Sequence, residues 1–222
     1  MLASDIIIRA RDTLADPTGD RWSDQRLLRL LDEAQSTICS KSKCLRASVD
    51  IVAHSGQSSY TMPLDMSLVT RVKYNDKPLL VTSREYLDFE IGSMWTKLVG
   101  VPEYAIFDKN DKGTILLAPI PTFTVPQTFD IATANLITVF YIRKPKPIVA
   151  LTDTLDLDED YKIMLAKYVS GIALRDDMDA QNRAFGNEEL AIFNSWLASV
   201  EVDAAKDFTS SVSYSTMYRS MS

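Results

Sequence analysis

The hydrophobic period of this chain changes twice along its length, and that pattern limits its possible folds more than any single residue does. Near the N-terminus, Ser4 can cap a short helix carrying Ile6, Ile7, Ala10 and Leu14, which Asp16-Pro17-Thr18-Gly19-Asp20 then breaks. A second start signal follows. Ser23 is a good N-cap, and Trp22 before it can staple onto Leu27. Leu27, Leu31, Ala34 and Ile38 recur at spacings of four, three and four, which predicts an amphipathic helix to about Ser40.

From about Ala47 to Ile148 the period becomes two. Ser48–Val52, Ser59–Met62, Val69–Tyr74, Lys77–Thr82, Tyr104–Asp108, Thr114–Ala118 and Leu136–Arg143 read as strands. Asn75-Asp76 and residues 109–113 read as hairpin connections, and 83–91 as a helical turn or two between strands. Six of the nine prolines (Pro78, Pro102, Pro119, Pro121, Pro126, Pro145) fall at strand ends or loops here, which suits a small antiparallel sandwich or barrel.

Helical spacing then returns. Asp156–Asp160 loads negative charge onto a helix start, where the macrodipole favours it. Tyr161, Leu165, Tyr168 and Ile172 form one stripe, ended by Asp176-Asp177-Met178-Asp179; Leu190, Phe193, Leu197, Val200 and Ala204 form another. Leu31, Ala34, Ile38, Leu165, Ile172, Phe193 and Leu197 are the expected core. The last fourteen residues are rich in Ser and Thr and cannot order alone. The expected architecture is α+β. Residues 1–46 and 149–208 form an antiparallel helical bundle from both chain ends, 47–148 an inserted antiparallel β domain, and 209–222 an extended C-terminal arm.

Composition removes whole classes of function. At 46% hydrophobic the chain can bury a core, and no apolar run reaches the ~20 residues of a membrane span. The first residues do not read as a signal peptide, because Asp5, Arg9, Arg11 and Asp12 interrupt their apolar stretch. With only Cys39 and Cys44 there is no disulfide framework. A single histidine, His54, excludes a two-histidine zinc site within one chain. The net charge of −6 is concentrated: residues 149–222 carry thirteen acidic against six basic groups, while 1–46 and 47–148 are nearly balanced. A nucleic-acid binder shows a basic stripe instead.

Catalytic patterns fail in turn. There is no G-x-G-x-x-G or Walker-type loop. Asp156-x-Asp158-x-Asp160 begins like a calcium loop, but Tyr161 and Lys167 stand where Gly and Glu belong. Asp108-x-Asn110-x-Lys112-Gly113 puts Lys in a ligand position. Ser40-x-x-Lys43 lacks its companion motifs. Cys39 and Cys44 supply two ligands where structural zinc needs four. Trp22 and Trp196 sit at core spacing. The expectation is no catalytic residue, no cofactor and no metal. The tail differs, because Tyr214, Met217 and Tyr218, with Arg219 beside them, are spaced anchors of the kind arms use on partners.

The order of features resembles a known family. Arg21-Trp22-Ser23-Asp24 leading into Leu27-Leu28-Arg29-Leu30-Leu31-Asp32-Glu33-Ala34-Gln35 resembles the second-helix signature of tailed-bacteriophage head-to-tail connector proteins, the adaptor or head-completion proteins beneath the portal. Gly56-Gln57 with Tyr60, Pro63 and Asp65 resembles the entry to that family's β insertion, and Arg71–Leu79 its first hairpin. Leu155–Tyr168 and Asp179-x-x-Asn182 resemble its returning helices.

The resemblance implies a helical bundle with an inserted β domain, assembled as a ring of twelve copies in the virion neck after synthesis in the host cytoplasm. The portal protein would lie above and a tail nozzle or tail tube protein below, with DNA passing through the lumen unbound. By position, 209–222 would be the arm that docks on the portal, with Tyr214, Met217, Tyr218 and Arg219 as partner-binding residues. The competing readings are another neck or tail ring component, such as a tail-completion or nozzle protein, and a metal-dependent accessory enzyme.

Overall fold

A computed structural model describes residues 1–107, 113–123 and 135–219, with side chains given through Lys206. The chain divides into two compact units: Met1–Leu45 with Lys144–Ser222, and Arg46–Arg143.

In the helical unit, α1 spans Ala3–Leu14, α2 Asp24–Ser42, α4 Lys162–Arg175 and α5 Ala180–Arg219. Helix α2 begins where its cap signal lies, with the Ser23 hydroxyl accepting the Arg26 N–H. It ends in the left-handed Lys43, whose N–H reaches the Cys39 carbonyl. Helix α4 contacts α1, α2 and α5, and α2 also meets α1 and α5. Leu31, Ala34, Ile38, Leu165, Phe193 and Leu197 lie in the resulting core. Ile172, expected there, is only partly buried and packs on the core's rim. Buried Leu165, Tyr168 and Val169 carry most of the load on its helix. Tyr168 and Phe193 meet edge to face at 4.9 Å between ring centroids.

Two glycines let α4 and α5 touch. A Cβ on Gly186 would come within 2.6 Å of the Arg175 backbone nitrogen and 2.7 Å of the Gly171 carbonyl oxygen. Asp179 opens α5 by accepting the N–H groups of Gln181 and Asn182.

The β unit holds β1 (Arg46–Val52), β2 (Ser59–Thr61), β3 (Met66–Tyr74), β4 (Lys77–Thr82), α3 (Arg84–Glu90), β5 (Val99–Gly100), β6 (Tyr104–Phe107), β7 (Thr114–Ala118), β8 (Ile120–Pro121) and β9 (Leu136–Arg143). Seven strands form one sheet in the order β1-β9-β3-β4-β6-β7-β2. Asn75 and Asp76 both adopt positive φ, 47° and 64°, and close the β3–β4 hairpin. Buried Ile137, Val139 and Tyr141 share a core with Met66, Val72, Ile115 and Tyr60. The Tyr60 hydroxyl donates to the Gln57 carbonyl at 2.8 Å and accepts the His54 N–H at 3.2 Å, pinning the β1–β2 turn.

Two expectations need correction. The sheet is antiparallel-rich but mixed: β4 and β6 run parallel, Leu80 opposite Tyr104, and β5 pairs parallel with β8. The helical segment after Thr82 is the reason. A hairpin turn reverses a strand, whereas α3 and the following 3-10 turn Ser93–Lys97 form the longer crossover that a parallel return requires. A buried Leu87, Trp95, Ile106 and Ala118 cluster seats it on the sheet.

The second correction concerns the chain's end. The backbone of 209–219 continues α5 as helix, where an extended arm is expected. No Gly or Pro occurs between Asn187 and Arg219 to stop it. Propagation adds one hydrogen bond per residue, and the Ser and Thr penalties are small beside it.

Candidate interaction surfaces

Between α1 and α2, Trp22 of the signature is buried, while Arg21, Ser23 and Asp24 are exposed. Arg11, buried on α1, sends one guanidinium nitrogen to the Asp16 carbonyl and carboxylate at 3.1 and 3.2 Å. Its other terminal nitrogen reaches the Trp22 carbonyl at 2.9 Å and Asp24 at 2.6 Å. Asp16 in turn accepts the N–H groups of Asp20, Arg21 and Trp22. Burial opposes ionisation of Asp16, but those three N–H groups and the Arg11 cation outweigh it and hold its carboxyl below the usual range. Trp22 is thereby fixed in the core, and Arg21 lies over its ring at 4.6 Å. Gly19, at φ 78°, gives the guanidinium room, since a Cβ there would stand 2.8 Å from it.

Two polar residues of the α2 signature, Asp32 and Gln35, hold the segment returning from the β unit. Gln35 is fully buried; its amide nitrogen donates to the Lys146 carbonyl at 3.0 Å and its oxygen accepts the Asp156 N–H at 2.9 Å. One helical turn before it, Asp32 accepts the Ile148 N–H at 2.9 Å. Asp156 takes the Lys146 N–H at 2.7 Å, and Asp153 takes those of Val149 and Ala150. Glu33 accepts the Tyr168 hydroxyl at 2.6 Å; burial first, then that carboxylate, pushes the phenol well above its ordinary range. The Asp-rich stretch that opens like a calcium loop therefore spends Asp156 on backbone capture, and among the described residues no three or more His, Cys, Asp or Glu side chains gather as a metal site. The loop at 108–112 lies outside the described residues.

Cys39 is buried and Cys44 exposed at the end of α2. A hydrogen bond from Cys39 lowers the Cys44 thiol to about 6 against the opposing effect of burial. His54 is exposed in the β unit. Ion pairs link the helical segments to one another: Arg21 to Asp177, Arg26 to Asp176 at 3.1 Å, Lys41 to Glu201 at 3.0 Å, and Lys167 to Glu189 at 2.8 Å.

Past the Lys41–Glu201 pair, α5 loses its packed face. Val202, Asp203, Ala205 and Lys206 are exposed, and only Ala204 is half-buried. At 1.5 Å per residue, the 40-residue helix is ~60 Å long. Tyr214, Met217, Tyr218 and Arg219 lie on its final turns, with their side chains outside the described residues. Among the described residues of the β unit, eight of ten exposed large apolar residues fall between Leu80 and Val101, including Phe89 at 88% exposure. Sequence reading misses these and Arg11 alike. The one available signal for Arg11 is a charge at i+4 from Ile7, beside the apolar stripe, followed by Asp16.

No helix among the described residues is long and apolar enough to cross a membrane. No curated protein matches the chain. A family model described as SU10 adaptor protein matches residues 1–213, nearly the full length, including the α2 signature and the returning helices. This chain therefore belongs to the SU10 adaptor protein family, structural proteins of the bacteriophage head-to-tail junction.

Proposed function

We propose that the chain is the neck adaptor that assembles as a ring of twelve beneath the portal, joins it to a tail nozzle or tube protein, and leaves a lumen through which DNA passes. Family membership supports a place at the junction. The single observation that carries the attachment role is α5: a helix that outruns its own core, mostly exposed from Val202 to Lys206 and continuing to Arg219. Helices in proteins are stabilised chiefly by packing an apolar face, so one that projects is suited to a partner's groove.

Helical backbone also changes how the tail is read. Tyr214, Met217 and Tyr218 stand at i, i+3 and i+4, the spacing of a single helix face, so the docking element is an amphipathic helix and not an added strand. Arg219 would add a cation at its end. Many copies in one ring would multiply a modest individual affinity.

The test is deletion of 209–222. The truncated chain should stay folded and soluble with little change in melting temperature, while its attachment to portal-bearing heads is lost. Normal assembly of the truncated protein onto such heads would overturn the proposal.

A further inference from the structure

The β unit carries an apolar surface that its own fold does not cover. On the crossover between β4 and β6, Leu87 and Trp95 face the sheet, while Phe89, Met94, Val99 and Val101 are 60–88% exposed. Tyr86 and Leu98 are also exposed. So many large apolar side chains left exposed on one crossover mark an interaction site.

Charge indicates what covers it. Residues 83–103 hold four carboxylates (Glu85, Asp88, Glu90, Glu103) against two cations, Arg84 and Lys97. Residues 64–77 hold a smaller balance of the opposite sign, with Arg71, Lys73 and Lys77 against Asp65 and Asp76. The chain leading into and along β3 also exposes Leu64 at 94% and Leu68 at 44%. One unit thus exposes apolar side chains in an acid-rich segment and others in a base-richer segment. A pair of different, mutually complementary faces on one chain is what head-to-tail association of identical copies needs, and it closes into rings when the rotation allows.

We infer that the occupant of the Phe89 surface is a second copy of this chain, whose Leu64–Leu68–Arg71 face docks on the crossover. This rests on the ring reading above and names the contact that would build it.

The experiment is sedimentation velocity of the full chain at rising concentration and low salt, with folding checked by circular dichroism. Wild type should self-associate. Phe89→Ser should weaken association roughly tenfold or more, as a central aromatic anchor does. Glu90→Lys should weaken it too, and adding Arg71→Glu to that variant should restore it. Phe89, Glu90 and Arg71 are exposed, so these changes leave the core intact. Association untouched by Phe89→Ser, failure of the charge reversal to rescue, or a wild type that stays monomeric throughout would each overturn the contact. Portal attachment, scored separately on heads through the 209–222 deletion, is unaffected by that failure.

Discussion

The Gln35 side-chain oxygen accepts the backbone N–H of Asp156 across 121 residues of sequence, at 2.9 Å. With its amide nitrogen on the Lys146 carbonyl, one buried side chain holds both ends of the chain's return from the β unit. Replacing it with leucine keeps the volume and strands two backbone groups. Gln35→Leu should therefore cost about 1–3 kcal/mol. Urea unfolding followed by helix signal would measure it, and a neutral result would show that water replaces the amide.

Arg11 should matter more. Arg11→Met leaves the buried Asp16 carboxylate without its cation and the Trp22 carbonyl without its donor. Its melting temperature should fall further than that of Gln35→Leu. Arg11→Lys should not restore it, because an ammonium cannot span the forked contacts to Asp16, Trp22 and Asp24.

Gly186→Ala sets two effects against each other. Alanine gains up to ~1 kcal/mol in helix propensity. The new methyl, however, meets backbone atoms of α4 at 2.6 and 2.7 Å, which cannot swing aside. Overpacking of this kind costs about 1–3 kcal/mol, so the variant should be less stable. Gly171→Ala should be milder, since its nearest neighbour is the Leu190 side chain. Equal losses in thermal melts would contradict this ordering.

The parts of the fold that local chemistry writes were legible. Ser23, the Leu27–Ile38 stripe and Asn75-Asp76 each encode their structure within a few residues, and each forms what its spacing predicts. The parallel β4–β6 pairing was not, because strand direction depends on whether 83–98 turns back or crosses over, and periodicity is silent on that. The run of α5 past Asp207 was missed for a related reason: Ser and Thr read as tail composition, yet nothing in the sequence stops a helix already under way. The polar signature residues were legible as a family mark but not as interior contacts. Asp32 and Gln35 look like a solvated helix face until a segment more than a hundred positions away supplies their partners.

Acid should unlock the same corners. Asp16, Asp153 and Asp177 are all held below their ordinary value of 3.8: Asp16 by the backbone donors and cation described above, Asp153 by the Val149 and Ala150 N–H groups, Asp177 first by Asn182. A lowered folded-state value contributes stability that is present above the unfolded value and lost as pH falls through the folded one. Melting temperature should thus be flat near neutrality and drop below about pH 4. Asp16→Asn should flatten that drop while lowering the neutral plateau. An unchanged acid slope in the variant would remove Asp16 from the account.

The isolated chain should not bind duplex DNA at physiological salt. Thirteen acidic groups against six basic over residues 149–222 oppose a polyanion, and the counterion release that drives such binding needs clustered cations. Electrophoretic mobility shift would check it. Micromolar binding would contradict the proposed lumen.

Because β1 pairs with β9 along its whole length, from Arg46 opposite Ile142 to Val52 opposite Leu136, the β unit begins and finishes one strand spacing apart. To the helices it is a closed loop of fixed, narrow mouth, whatever lies inside. Recombination can therefore trade, enlarge or shrink that cargo without re-registering α2 against α4, provided the two mouth strands still zip together. The helical unit can stay constant while the insert changes.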